Sequence, residues 1–143
     1  MINKLLCLAA FLVLLAACSP ASEDSGETAV VDLAVEAQRI AQSSIIVDTH
    51  IDVPYRLASR PADVSQATDS GDFDYPRAVN GGLNVPFMSI YTPAEHEAEG
   101  KSKATAESLI EIVEGMVSSA PEKFAIATSV ADVRGQFEAG IMS

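Results

Sequence analysis

The spacing of apolar positions changes several times along the chain, and each change predicts a new element. Residues 30–43 carry an apolar stripe with the spacing of a helix. A β-branched run at residues 45–47 then predicts a buried strand, which continues to Asp52 and which Pro54 ends. Residues 58–80 are rich in Asp, Ser, Pro and Gly and are interpreted as a long excursion.

The second half of the chain continues this alternation of strands and helices. A second strand is predicted over residues 83–91, after an Asn-Gly-Gly turn, and a third over residues 124–127. Between them an amphipathic helix is predicted from apolar residues at helical spacing, which are Leu109, Val113, Met116, Val117 and Ala120. Ser129 has the position of an N-cap for another helix, which runs to about residue 139. The order favours α/β units on a parallel sheet.

The length of the chain limits how much of such a fold it can contain. A (β/α)₈ TIM barrel needs about 250 residues, and this chain has 143. Residues 141–143 lie where a further apolar strand should begin. We therefore expect an N-terminal portion of a larger α/β protein, with residues 31–143 forming the first part of an incomplete barrel.

The N-terminus has the pattern of a bacterial export signal. A short positive segment precedes an apolar run over residues 5–17, which is too short to span a bilayer. The run ends in LAAC at residues 15–18, and this resembles a lipobox. We predict a lipoprotein signal peptide over residues 1–17, lipidation of Cys18 and a flexible tether over residues 18–30. An ordinary secretory signal, which would leave Cys18 as a free thiol, is the alternative.

Composition and charge exclude some functions and narrow the location. Nine Lys and Arg against 20 Asp and Glu give a net charge of −11, which argues against binding to nucleic acid. With 48% apolar residues the chain is too apolar to be intrinsically disordered. Ser19 directly after Cys18 resembles lipoproteins sorted to the outer membrane. We expect a lipoprotein anchored on the periplasmic side of a membrane, in the outer membrane.

The candidate chemistry lies at the end of the first predicted strand. Side chains alternate along a strand, so Asp48, His50 and Asp52 are expected to project from one face. Three ionisable groups on a buried strand need a neutralising partner, and a zinc ion accepts imidazole nitrogen and carboxylate oxygen as ligands. His50 and Asp52 are therefore predicted metal ligands, while Asp48 is predicted to orient a ligand through a hydrogen bond. A simple ion pair between His50 and an aspartate is the alternative.

Two segments together resemble a known family. Residues 48–57, DTHIDVPYRL, are similar to the opening D-x-H-x-D-x-P motif of the membrane (renal-type) dipeptidases, in which an aromatic residue follows. Residues 81–93, GGLNVPFMSIYTP, resemble the second-strand segment of that family. The two segments occur in the family's order and cover about 23 residues, so together they are more specific than either alone.

The resemblance implies a (β/α)₈ metallohydrolase with two zinc ions. Such an enzyme hydrolyses dipeptides, including those with a C-terminal D-residue, by activating a water. The resemblance makes His50 and Asp52 ligands of the first zinc. It places a bridging Glu and two further His on later strands, beyond Ser143. This segment therefore contains no predicted catalytic residue, and by itself it is expected to be inactive and to bind zinc weakly.

Two other chemistry-bearing residues, His96 and Ser89, lack the motif that their chemistry would require. His96 lies in a segment like the H-E-x-x-H zinc helix, but Gly100 occupies the second His position, so a solvated loop residue is expected. Ser89 lacks the G-x-S-x-G turn of a serine nucleophile.

The acidic residues of the excursion and the two residues after Pro54 also have no predicted role in the chemistry. Asp69, Asp72 and Asp74 lack the Gly and the terminal Glu of a calcium loop, so a solvated, mobile excursion is expected. Tyr55 and Arg56 are close enough to line a pocket, but they are expected to pack and pair structurally.

The sequence thus predicts a lipid-anchored zinc dipeptidase. The alternatives are another barrel amidohydrolase, or a non-catalytic binding lipoprotein or truncated remnant. For partners we expect a dipeptide substrate, the membrane through the lipid on Cys18, no nucleic acid and, for the complete protein, a homodimer.

Overall fold

The computed structural model describes residues 32–143, which contain six helices and two strands joined by loops. The elements in chain order are α1 (Leu33–Ser43), β1 (Ile46–Ile51), α2 (Val53–Ser59), α3 (Tyr75–Gly81), β2 (Leu83–Met88), α4 (Glu95–Ala98), α5 (Ser102–Ser119) and α6 (Val130–Glu138). The predicted helices 30–43 and 129–139 correspond to α1 and α6, and the predicted amphipathic stripe lies on α5 except for Ala120, which is the C-cap residue of that helix. The predicted signal peptide, Cys18 and the tether lie outside the described residues.

Polar side chains begin three of these helices. Asp32 accepts hydrogen bonds from two backbone N–H groups of α1, and Asp74 accepts one from the Arg77 N–H in α3. Ser129 accepts one from the Asp132 N–H in α6, as its predicted N-cap position requires. These bonds satisfy donors that a helix N-terminus otherwise leaves without partners, so the helix starts are fixed locally by the sequence.

The two strands pair in parallel, and their carboxyl ends lie at one edge of the sheet. The register runs from Ile46 opposite Leu83 to Ile51 opposite Met88, with irregularities between. One further hydrogen bond, from the Ser89 N–H to the Ile51 carbonyl at 2.9 Å, joins the end of β1 to the residue directly after β2. The segments that follow β1 and β2 therefore leave the sheet side by side.

The predicted third strand is wrong in its position. Residues 124–127 form no strand, and only Phe124 makes an isolated parallel bridge, with Met142. The Ser143 N–H, in turn, donates to the Asn84 carbonyl in β2 at 2.8 Å. The place beside β2 is therefore taken by residues 142–143, which is the segment where the sequence predicts a further strand to begin.

Three short helices were not predicted. Pro54 was expected to end the first strand, but β1 already ends at Ile51. Pro54 lies instead in the first turn of α2, where a residue without an N–H is tolerated. Helix α3 occupies the end of the predicted excursion, and Gly82 follows it in the left-handed conformation at φ +84°. Helix α4 lies between β2 and α5.

The core is formed where α5 and its following turn pack over α2 and the loop before α3. Leu109 is the largest fully buried side chain of the described residues. The main apolar cluster contains Val53, Leu57, Val64, Phe73, Ala78, Ala120, Phe124 and Met142. This cluster holds α2, and therefore the start of the segment that follows β1.

The expectation of a buried first strand is wrong for the described residues. Val47 is 47% exposed, and every residue of β1 is at least partly exposed. The described sheet has only the two strands β1 and β2. Side chains project from the faces of a sheet, and too little of the described protein packs on the faces of β1 to bury them. The fold is a mixed α/β arrangement with a small open parallel sheet. Within residues 32–143, no helix combines the length and the apolar character needed to cross a bilayer.

Candidate metal site

The candidate site is formed where β1 ends and α2 begins. His50 is the second-last residue of β1, and Asp52 is the N-cap residue of α2. The Asp52 backbone has left the extended conformation, with φ −87° and ψ 32°. Strict strand alternation therefore applies only as far as Ile51, and it is the turn into the helix that brings Asp52 towards His50.

The two predicted ligands face each other. His50 Nε2 lies 3.2 Å from Asp52 Oδ1, and their side chains are 66% and 58% exposed. The Asp52 carboxylate makes no capping hydrogen bond to α2. Pro54 in the first turn of the helix has no N–H to offer it. The carboxylate is therefore directed to the imidazole and remains open to solvent.

Asp48 supports the backbone rather than the imidazole. Its Oδ1 accepts a hydrogen bond from the backbone N–H of His50 at 3.0 Å. This bond fixes the peptide that carries the imidazole. The burial argument made from the sequence does not hold here, because Asp48, His50 and Asp52 are all exposed.

The pair has the donor set and spacing of two ligands of one zinc ion. The 3.2 Å between His50 Nε2 and Asp52 Oδ1 is the length of a direct hydrogen bond or ion pair, the alternative given above. It is also close to the roughly 3.3–3.6 Å that separates two ligand atoms about 2.0–2.2 Å from a tetrahedral zinc. Within residues 32–143, no group of three or more His, Cys, Asp or Glu side chains is arranged to hold a metal. His50 and Asp52 therefore fit as part of a site.

Two tyrosines next to this pair were not assigned a role from the sequence. Tyr55, in the first turn of α2, and Tyr91, three residues after β2, form an edge-to-face pair with ring centroids 5.1 Å apart. The rings are 41% and 48% exposed. The signal was present, because one aromatic residue follows each strand end in the segments DTHIDVPY and FMSIY. The pairing of the rings confirms that Tyr55 packs, and it links the two strand ends.

A groove beside β1 reaches one member of the pair. Its volume is about 660 Å³, and Asp48, Asp52, Tyr55 and Arg56 are among the residues that line it. His50 is not part of this lining. Asp52 is therefore the point at which the groove and the candidate metal site meet.

The excursion before α3 is held by buried ionic contacts, so the expectation of a fully solvated segment is wrong for Asp74. This residue is 0% exposed. Its Oδ2 accepts from the Thr68 N–H at 2.9 Å and lies 2.8 Å from Arg77 Nη2. The backbone N–H groups of Arg77 and Thr68 hold the pKa of Asp74 below its usual value. Asp69 and Asp72 are exposed, as expected.

His96 also differs from its expected environment. It lies in α4 and is only partly exposed, and its Nδ1 is 2.8 Å from the Thr105 hydroxyl in α5. Ser89 is half-buried beyond the end of β2, where its N–H bonds to Ile51. Neither residue lies with His50 and Asp52 in a common cluster of ligands.

Taken together, the geometry defines an α/β protein with an exposed imidazole–carboxylate pair at the carboxyl end of a parallel strand. The sequence model of the membrane dipeptidases, "Membrane dipeptidase (Peptidase family M19)", matches residues 34–143. The chain therefore belongs to the membrane dipeptidase family, and the resemblance found in residues 48–57 and 81–93 is confirmed. Membership in this peptidase family makes the chain part of a hydrolase family.

Proposed function

We propose that the protein is a zinc-dependent dipeptidase. Its substrates are dipeptides, including those with a C-terminal D-residue, and His50 and Asp52 are ligands of the first of two zinc ions. The single observation that carries this proposal is the 3.2 Å separation of His50 Nε2 and Asp52 Oδ1 in an exposed position at a strand end. Membership in the membrane dipeptidase family supports the substrate class.

The residues of this chain would hold and orient the reacting groups. When bound, zinc polarises a carbonyl and activates water for attack. His50 would supply an imidazole nitrogen, and Asp52 would supply a carboxylate whose negative charge offsets part of the charge of the ion. Asp48 fixes the backbone of His50. None of the three needs to transfer a proton, and the remaining ligands are proposed on later strands of a (β/α)₈ barrel whose first two strands are β1 and β2.

The experiment compares the two histidines of the chain. The protein is expressed from its complete gene as the wild type, His50→Ala and His96→Ala. Bound zinc is measured by mass spectrometry after dialysis, and hydrolysis is measured with Gly-L-Ala and Gly-D-Ala. His96 is the matched control, because it is the other His of the chain and contacts Thr105 instead of a carboxylate.

We expect His50→Ala to lose at least one of two zinc ions and most activity, while His96→Ala retains both. Equal zinc content and activity in wild type and His50→Ala would contradict the metal assignment. Zinc binding without hydrolysis of either dipeptide, but with hydrolysis of a non-peptide amide, would favour another amidohydrolase.

We further propose that Cys18 carries a lipid that anchors the protein to the periplasmic side of the outer membrane. The support is the apolar run over residues 5–17 followed by LAAC. Labelling with radioactive palmitate in a bacterial host tests it. Cys18→Ala is expected to abolish the label, and Cys7→Ala, the matched control within the apolar run, is expected to retain it. Label on the Cys18→Ala protein would refute the assignment.

A further inference from the structure

The side chain of Arg56 joins the helix that carries Asp52 to the loop before α3. Arg56 Nη1 donates to the Ser70 carbonyl and Nη2 donates to the Phe73 carbonyl, each at 3.3 Å. Its backbone N–H donates to the Asp52 carbonyl at 3.1 Å, the first helical bond of α2. One residue therefore connects Asp52, through the helix backbone, to a loop about 20 residues further along the chain.

The loop that receives this side chain is itself firmly held. Arg77 donates to the carbonyls of Thr68 and Gly71 and pairs with the buried Asp74. Gly71 has φ +87°, and a Cβ there would lie 2.5 Å from Arg56 Nη1. The guanidinium of Arg56 thus lies directly against a turn that the half-exposed Arg77 connects to the buried carboxylate of Asp74, so the turn can act as an anchor.

Helix α2 needs such an anchor because its N-cap side chain is used elsewhere. N-cap carboxylates usually bind the free N–H groups of the first turn and so fix the helix start. The Asp52 carboxylate makes no such bond, and it faces His50 instead. The first turn is then tied to the rest of the protein by Val53 and Pro54, which are buried, by the Tyr55–Tyr91 contact and by Arg56.

We propose that Arg56 is a positioning residue that sets the distance and angle between Asp52 and His50. The inference rests on the proposed function, since it concerns the site that His50 and Asp52 form. The two hydrogen bonds of the guanidinium fork prevent α2 from turning about its own axis. Any such turn would move the Asp52 carboxylate, which projects from the N-cap, away from the imidazole. Groups that orient ligands in this way typically contribute about tenfold or more to metal affinity.

The test uses three variants of the protein expressed from its complete gene. Arg56→Gln removes the fork, and Arg56→Lys retains the charge but can reach only one of the two carbonyls at a time. Arg39→Gln is the matched control, because Arg39 is an exposed arginine of α1 whose guanidinium pairs with Glu36. Two quantities are measured: the zinc Kd, by competition with a chromophoric chelator, and amide hydrogen exchange of residues 55–59 in the metal-free protein.

We expect Arg56→Gln to raise the zinc Kd about tenfold and to accelerate amide exchange in α2 but not in α5. Arg56→Lys should fall between it and the wild type, and Arg39→Gln should match the wild type. A Kd for Arg56→Gln within twofold of the wild type would overturn the proposal. The proposal would also be overturned if the rise in zinc Kd were fully accounted for by the fraction of Arg56→Gln protein that is unfolded, with amide exchange accelerated throughout the protein.

Failure of the proposed function would give a different result. In that case the wild type and His50→Ala would bind zinc with the same affinity. Amide exchange in the metal-free protein would then still decide whether Arg56 fixes the first turn of α2. Unchanged exchange in Arg56→Gln would overturn the positioning role independently of any metal.

Discussion

Two adjacent glycines of the second family segment are predicted to respond in opposite ways to the same substitution. Gly82 is the C-cap residue that follows α3, with φ +84°, and a Cβ there would lie 2.7 Å from the carbonyl oxygen of Ala41. Gly81 is the last residue of α3, and a Cβ on it would meet nothing within 4 Å. The two substitutions therefore distinguish a position where the backbone conformation requires glycine from a neighbouring position where it does not.

The expected magnitudes follow from these two geometries. Alanine in the left-handed conformation costs about 1–2 kcal/mol. The overlap with the backbone of Ala41 forces the last turn of α1 to move, and forced shifts of this kind typically cost about 1–3 kcal/mol. Gly82→Ala should therefore destabilise the protein by about 2–5 kcal/mol. Gly81→Ala should be neutral or stabilise by about 0.5 kcal/mol, because Ala favours a helix over Gly.

Urea denaturation at 25 °C, followed by circular dichroism, measures both free energies of unfolding. The effect also bears on the site, because Gly82 precedes Leu83, whose pairing with Ile46 begins the register of the sheet. Equal free energies of unfolding for Gly81→Ala and Gly82→Ala would refute this reasoning. So would a loss in Gly81→Ala alone.

Three further predictions concern the core, a helix end and acid stability. Leu109→Ala should cost about 2–5 kcal/mol in urea denaturation because the side chain is 1% exposed, whereas the adjacent, 44% exposed Ile110→Ala should cost clearly less. Ser129→Ala should cost about 1 kcal/mol in the same assay by removing the N-cap of α6, and no change would contradict the capping role. The pKa of Asp74 is lowered, chiefly by the hydrogen bond from the backbone N–H of Arg77. The ionised carboxylate therefore stabilises the folded protein above the pKa that Asp74 has in the unfolded chain, and this stabilisation is lost as the pH falls through the folded-state pKa. Unfolding measured from pH 6 to pH 3 should therefore depend less on pH in Asp74→Asn than in the wild type, and an identical dependence would contradict this.

The elements predicted correctly from the sequence are those whose signals are local. Helix α5 is predicted by an apolar stripe of five residues, four of which lie in the helix while Ala120 is its C-cap residue, and α6 is predicted because Ser129 is its N-cap. Helix α2 is difficult to predict because it has only seven residues, and its buried residues are Val53, Pro54 and Leu57. Pro54 was interpreted as the end of a strand, although proline is equally compatible with the first turn of a helix.

Properties that depend on distant parts of the chain were predicted less well. The apolar run before Asp48 indicates a strand correctly, but the burial of its side chains depends on what packs on the two faces of the sheet. Asp74 was expected in a solvated excursion, and its burial becomes evident only from the folded positions of Thr68 and Arg77. His50 and Asp52 are predicted as site residues because a strand end and a family motif coincide there, while the role proposed for Arg56 depends on its contacts with Ser70 and Phe73.

The central claim is that His50 and Asp52 bind the same zinc ion. A crystal of the zinc-loaded protein, measured on both sides of the zinc absorption edge, tests it most directly through the anomalous difference density. The account predicts a peak about 2.0–2.2 Å from both His50 Nε2 and Asp52 Oδ1. Ordered zinc at other residues, with the His50–Asp52 pair bonded only to each other, would contradict it.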